Sequence, residues 1–294
     1  MKNNNDLIQK HGLSAKASNR LVNTFIYIFL IVISILWLFP FVGILLESLR
    51  VESTGQVGYF WPKQFGFDNY IRLFKSDFPK WFMNTLLMGV AVSALQTFFI
   101  LSMSYTLSRL RFKGRKTLMN FMLILGMFPG FLSMILIYKV FADFHLTEAM
   151  APVGLIIVYC ASSGMGYYIS KGFFDTIPKS LDEAARVDGA TRWQVFYKVI
   201  MPLSKPIIIY TILMGFMAPW GDYMMARFLI NNNDDGMNVA VGMYKWLNGS
   251  GDNIYRNYTM FCAAGVCVSI PVTIVFMSLQ KYYVEGVTGG AVKG

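Results

Sequence analysis

Trp220, Asp222 and Tyr223 stand close together in "APWGDYMM", inside an otherwise apolar run. An ionisable group at such a place needs water or a partner. Aromatic side chains with polar edges stack on sugar rings and bond their hydroxyls. The cluster therefore reads either as a direct contact to a polar, ring-shaped solute or as a brace for a gate or a neighbouring subunit. A second stretch, "EAARVDGATRWQVFYKVIMP" (183–202), is charged and amphipathic and lies between two hydrophobic runs. No catalytic constellation accompanies either stretch. His11 and His145 are far apart and outside any H-E-x-x-H pattern, and Cys160, Cys262 and Cys267 lie in apolar runs without a C-x-x-C pair. Neither a metal site nor a catalytic residue is expected. No G-x-x-x-x-G-K-[ST] loop occurs either, so the chain is expected to bind no cofactor of its own.

The elements that must hold these residues are set by composition. Of 294 residues, 55% are hydrophobic and only 14% charged, which suits a bilayer better than water. Nearly uncharged runs at 21–46, 81–108, 117–138, 149–170, 206–230 and 257–280 are each long enough for about 20 residues of membrane-crossing helix. The expectation is an all-α integral membrane protein of six transmembrane helices, with both termini on one side. Most of the 26 Lys and Arg fall in the N-terminal arm, the loop Arg109–Lys116, the loop 171–205 and the tail, so these segments are assigned to the cytoplasm. The net charge of +10 then reflects topology and contact with anionic membrane lipid, and gives no support to nucleic-acid binding. Residues 1–20 read as a polar cytoplasmic arm, 21–281 as one membrane domain, and 282–294 as a Gly-rich cytoplasmic tail expected to be disordered. Pro129 and Gly130 predict a kink in the third span. The outer loop 231–257, rich in Asn, Gly and Asp, reads as solvated.

Within the loop 171–205, Ser180 followed by Glu183 predicts a capping box and a short helix. Gly189 ends or turns it. Trp193, Phe196, Tyr197 and Ile200 recur at spacings of three or four, predicting a second amphipathic helix closed by Pro202 and Pro206. Such a hairpin can lie on lipid. The order Glu-Ala-Ala, three residues, Gly, nine residues, an aliphatic pair and Pro also resembles the EAA loop of membrane subunits in bacterial ABC importers, with Glu183, Ala184, Ala185, Gly189 and Pro202 in register. Val199 and Met201 stand where that family more often has Ile and Leu. "NTLLMGVAVSALQTFFILSMSYTLSRLRFKGRK" (84–116) is similar to the start of the permease core in carbohydrate importers, and "LQKYYVEGVTGGAVKG" to the tail of the maltose and maltodextrin branch.

The resemblance implies a type I ABC importer permease fold in the bacterial cytoplasmic membrane. It implies a non-enzymatic transport subunit, the smaller of two different permease chains, joined to two ATPase subunits that carry ATP and Mg, and to an extracellular sugar-binding protein. Glu183, Ala184, Ala185, Gly189 and Pro202 would couple to the ATPase. Trp220, Asp222 and Tyr223 would line the sugar path or its gate, although Gly221 stands where the family often has Asn. Tyr244, Trp246 and Asn248 would meet the binding protein. A malto-oligosaccharide-like cargo is implied by the tail. The competing reading is an ion-coupled secondary sugar transporter, which would want several buried acids where this chain has Asp222.

Overall fold

The computed structural model describes residues 3–52, 59–127, 130–162, 164–231, 233–248 and 252–291, and they form helices joined by short turns. The first helix, α1 (Asn3–Ser48), runs through the arm and the first predicted span without a break. After a turn come α2 (Asp68–Lys75) and α3 (Phe78–Arg109), the latter with Pro79 in its first turn. Among the described residues, three helical stretches are long and apolar enough to cross a membrane alone: Val22–Ser48, Phe78–Arg109 and Asn257–Gln280. The remaining predicted spans are divided. The third becomes α4 (Arg115–Gly126) and α5 (Gly130–Asp143); Pro129, on which the predicted kink rests, lies outside the described residues. The fourth becomes α6 (Ala151–Ala161) and α7 (Gly164–Thr176), and Leu132–Asp143 meets Glu148–Ala161 at 111°.

Downstream, α8 (Lys179–Val187) is followed by a continuous helical stretch: α9 (Arg192–Gln194), a π-helical segment Val195–Ile200 and α10 (Met201–Leu203). It meets α11 (Lys205–Gly221) at 82°, with Ser204 between them. The chain ends in α12 (Met224–Ile230), α13 (Val239–Leu247) and α14 (Asp252–Ala291). Two expectations are corrected here. The outer loop 231–257 contains a helix, because Asn238 caps α13 by accepting from the Val241 N–H at 3.0 Å. The tail is helical as far as Ala291, since it extends the last span and need not nucleate a helix alone.

The main core joins α3, α6, α11, α12 and α13 through Phe78, Trp81, Leu155, Phe216, Trp220 and Leu229. Polar side chains of α3 tie neighbouring helices where apolar surfaces alone give little direction to packing. Gln96 Nε2 donates to Tyr159 O at 3.0 Å, and Ser104 Oγ donates to Tyr167 O at 3.0 Å. Thr85 Oγ1 donates to Trp81 O and accepts from the Val239 N–H, at 2.8 and 2.9 Å. By contrast, α1 packs chiefly on α14 and leaves Phe25 to Leu45 largely exposed, an apolar surface far larger than a water-soluble protein presents.

Trp81 explains why α13 carries a glycine. A Cβ on Gly242 would lie 2.1 Å from the indole ring, and the ring is also held by Trp246 at 5.2 Å between centroids. Gly242→Val is expected to destabilise the protein by about 1–3 kcal/mol through overpacking, seen as a thermal unfolding midpoint lowered by several degrees in detergent. An unchanged midpoint would refute this packing account.

Candidate functional site

The first region is built on the end of α3. Arg109 is its last residue, and its side chain is 3% exposed. Nη2 donates to Ile177 O at 2.9 Å, and Nε lies 3.1 Å from Asp182 Oδ2. One cation thus fixes both the turn before α8 and the first turn of α8. Burial pushes the Asp182 carboxyl above its ordinary value and the nearby Glu183 charge adds to this, against the pull of Arg109 and Lys179. Beneath the hairpin, a small second core gathers Leu101, Phe174, Ile177, Val195, Ile200 and Ile207. Phe174 and Ile200 are fully buried. Tyr105 adds a ring contact to Phe196 at 4.7 Å.

The helix α8 does not start as expected. Pro178 is its N-cap, with φ −57° and ψ 131°, and no side chain caps it. Proline fixes φ and sets the start of the helix two positions earlier than Ser180 would. Ser180 therefore falls inside the helix, and the Ser180–Glu183 capping box does not form. The capping box belongs to the next helix: Thr191 Oγ1 accepts from Gln194 N at 3.2 Å, and Gln194 Oε1 accepts from Thr191 N at 2.7 Å. The C-terminus of α8 is closed as the spacing implied. Gly189 has φ +85°, Ala190 N donates to Ala185 O at 2.9 Å, and Gly189 N donates to Arg186 O at 3.1 Å. These are the paired bonds of a Schellman motif.

The predicted residues are distributed unevenly on this hairpin. Glu183, Ala184 and Gly189 are exposed, Ala185 is half-buried against the second core, and Pro202 is exposed in the turn before the bend at Ser204. Of the amphipathic stripe, Phe196 and Ile200 face inward, while Trp193 and Tyr197 are 66% and 56% exposed. The π-helical stretch fits the proline: Pro202 has no N–H to return to Lys198, and Met201 N donates to Phe196 O, five residues back.

The second region surrounds Asp222, which lies in the break between α11 and α12. Its Oδ1 accepts from Met225 N at 3.1 Å, and its Oδ2 accepts from Tyr159 OH at 2.6 Å. Asn238, fully buried, donates to Pro219 O and Asp222 O at 3.1 and 2.8 Å. The acid thus supplies acceptors where a broken helix leaves donors unpaired. A cavity of about 460 Å³ opens beside it, with Ser133, Tyr159, Ser162, Tyr167 and Asp222 among its lining. Trp220 does not line that cavity. It is 6% exposed and packed between Phe82 and Phe216, at 5.3 and 5.8 Å. Tyr223 instead meets Tyr244 at 4.1 Å between ring centroids. The structure therefore separates the three residues that the sequence grouped.

At the α13 end, Tyr244 and Asn248 are exposed, and Asn248 Nδ2 donates to Tyr244 O at 3.1 Å. Trp246 is half-buried against Trp81. Sequence reasoning missed Tyr159, Asn238, Arg109 and Asp182 as site residues, none of which carried a local signal. Thr191 was missed too, although the T-x-x-Q pattern of a capping box pointed to it.

Residues 101–289 match the family described as binding-protein-dependent transport system inner membrane component. The chain is 30% identical over 285 residues to the maltodextrin transport system permease protein MdxG of Bacillus subtilis, covering 96% of this chain and 100% of that one. It is 33% identical over 242 residues to the galactooligosaccharides transport system permease protein GanQ of the same species, covering 79% and 82%. A crystal structure of a bacterial ABC transporter that imports the acidic polysaccharide alginate has the same fold. Its TM-score is 0.76 at 24% identity, over 90% of this chain and 98% of that one. With the membrane-length apolar helices and the broken-helix core, these matches show that the chain belongs to the binding-protein-dependent transport system inner membrane components and is similar along its length to permease proteins of sugar transport systems.

Proposed function

We propose that this subunit forms half of an oligosaccharide pathway across the bacterial cytoplasmic membrane and is driven by ATPases that grip α8. In this reading six spans cross the bilayer, both termini are cytoplasmic, and a second, different permease chain completes the path. Two ATPase subunits bind ATP and Mg, since the chain has no phosphate loop. The observation that carries the reading is the construction of α8: anchored through Asp182, closed by Gly189, yet presenting Glu183 and Ala184 outward. A short rigid helix with a small-residue face suits a groove in a partner. Lipid contact alone would not require such an anchor.

The cargo is taken to be a malto-oligosaccharide-like sugar, by analogy with the maltodextrin permease to which the chain is similar along its length. Tyr159, Tyr167 and Asp222 beside their cavity supply hydroxyl and carboxylate partners suited to sugar hydroxyls. The burial of Trp220 favours a bracing role for that residue. Tyr244 and Asn248, with Trp246 behind them, form the outer surface offered to an extracellular sugar-binding protein. A solitary ion-coupled carrier is not favoured, because the similarity runs to permease proteins of binding-protein-dependent systems.

Three outcomes test this. Glu183→Arg is expected to leave membrane insertion intact and to cut sugar-stimulated ATPase activity and uptake about tenfold or more; retention of both in reconstituted vesicles would end the docking role. Gly189→Ala places a methyl in open space but on a left-handed backbone, a cost of about 1–2 kcal/mol. Its signature is faster amide exchange at 188–191 with the rest of the protein unchanged. Asp222→Ala, which removes the acceptor of the Tyr159 hydroxyl and the cap of α12, is expected to raise basal ATPase activity and lower uptake of all transported sugars alike. Loss confined to one sugar would instead mark direct recognition by Asp222.

A further inference from the structure

A cationic cleft separates the end of α3 from the hairpin; Glu183 on its rim belongs to the surface proposed for the ATPase, while Arg111 and Arg192 have no part in that grip. Its volume is about 390 Å³, and Arg109, Arg111, Lys179, Arg186 and Arg192 line it beside Asp182 and Glu183. Cations therefore outnumber acids. Asp182 is already engaged with Arg109, and Arg109 Nη1 is buried with no hydrogen-bond acceptor among the described residues. A buried guanidinium nitrogen without an acceptor is costly unless an anion reaches it.

The position of the cleft indicates which anion. Arg109 is the last residue of a membrane-length helix, and a cleft at such an end suits a lipid headgroup. Phe112, Trp193 and Tyr197, neighbours in sequence of cleft residues, are 43%, 66% and 56% exposed; exposed aromatics of this kind favour the membrane interface. Arg111 also lines an adjoining cleft with Arg115 and Lys116, which extends the positive edge toward the start of α4. Basic pockets at the ends of membrane helices suit anionic headgroups. We propose that the cleft binds the phosphate of an anionic phospholipid between Arg109, Arg111 and Arg192, a lipid site distinct from general attraction to the bilayer.

The test is native mass spectrometry of the assembled importer in neutral detergent, titrated with phosphatidylglycerol or phosphatidylcholine. The complex is expected to retain phosphatidylglycerol selectively. Arg111→Gln with Arg192→Gln, both at exposed positions, should weaken retention about tenfold while the ATPase stays bound. Lys113→Gln with Lys198→Gln, the same charge change outside the cleft, should leave retention unaltered. Equal retention by the Arg111/Arg192 variant, or an equal loss in the lysine control, would overturn the site. Thermal stabilisation by inorganic phosphate as large as that by phosphatidylglycerol would reassign it to a soluble anion. Loss of the ATPase with lipid retention intact would make it a protein-docking surface instead.

Discussion

The buried contact between Arg109 and Asp182 joins the membrane-embedded part of the chain to the hairpin outside it. A pair this well shielded is weak evidence of net stability, because desolvating both charges offsets most of their attraction. Its value is geometric. The guanidinium holds Ile177 O through one nitrogen and faces Asp182 through another, so α8 cannot shift relative to α3 without exposing an unpaired charge. The second core under the hairpin, around Phe174 and Ile200, adds apolar burial to the same joint. A force applied to α8 would therefore reach α3 through a stiff connection, which suits the coupling role proposed for this helix.

The breaks in the helices obey a stricter rule. Backbone groups released in an apolar medium need partners from the protein, and the breaks at either end of α11 have named ones. Asp222 accepts from Met225 N, and Asn238 donates to the carbonyls of Pro219 and Asp222. Ser204 Oγ donates to Ile200 O at 2.7 Å at the 82° bend. Polar residues that looked like candidate chemistry are thus also the means by which irregular backbone is tolerated at depth. For Asp222 the two roles coincide, since the carboxylate that caps α12 also borders a cavity.

Much of this architecture was legible in the residues, and what was not has a physical reason. Apolar runs marked the three unbroken membrane-length helices, and the ordered EAA pattern marked the hairpin with its glycine turn, because both are local signals. The capping box was assigned to Ser180 and Glu183 although Thr191 and Gln194 fit the same pattern; Pro178, which sets the start of α8, decided between them. α13 was read as loop because Asn, Gly and Asp on either side hid its cap and its packing on Trp81. The bond from Tyr159 to Asp222 spans 63 residues and leaves no trace in local spacing. Trp220 and Asp222 are close in sequence yet end in different surroundings, since the helix stops between them at Gly221.

The bend at Ser204 has a mechanical corollary. The stretch Arg192–Leu203 and α11 meet almost at a right angle, like the handle and arm of a crank. Twisting the handle about its own length swings the arm sideways. With 17 residues, α11 is about 25 Å long, so a twist of roughly 10° would carry its far end about 4 Å. That far end is where Asp222 sits, and a displacement of this size exceeds the reach of its bond to Tyr159.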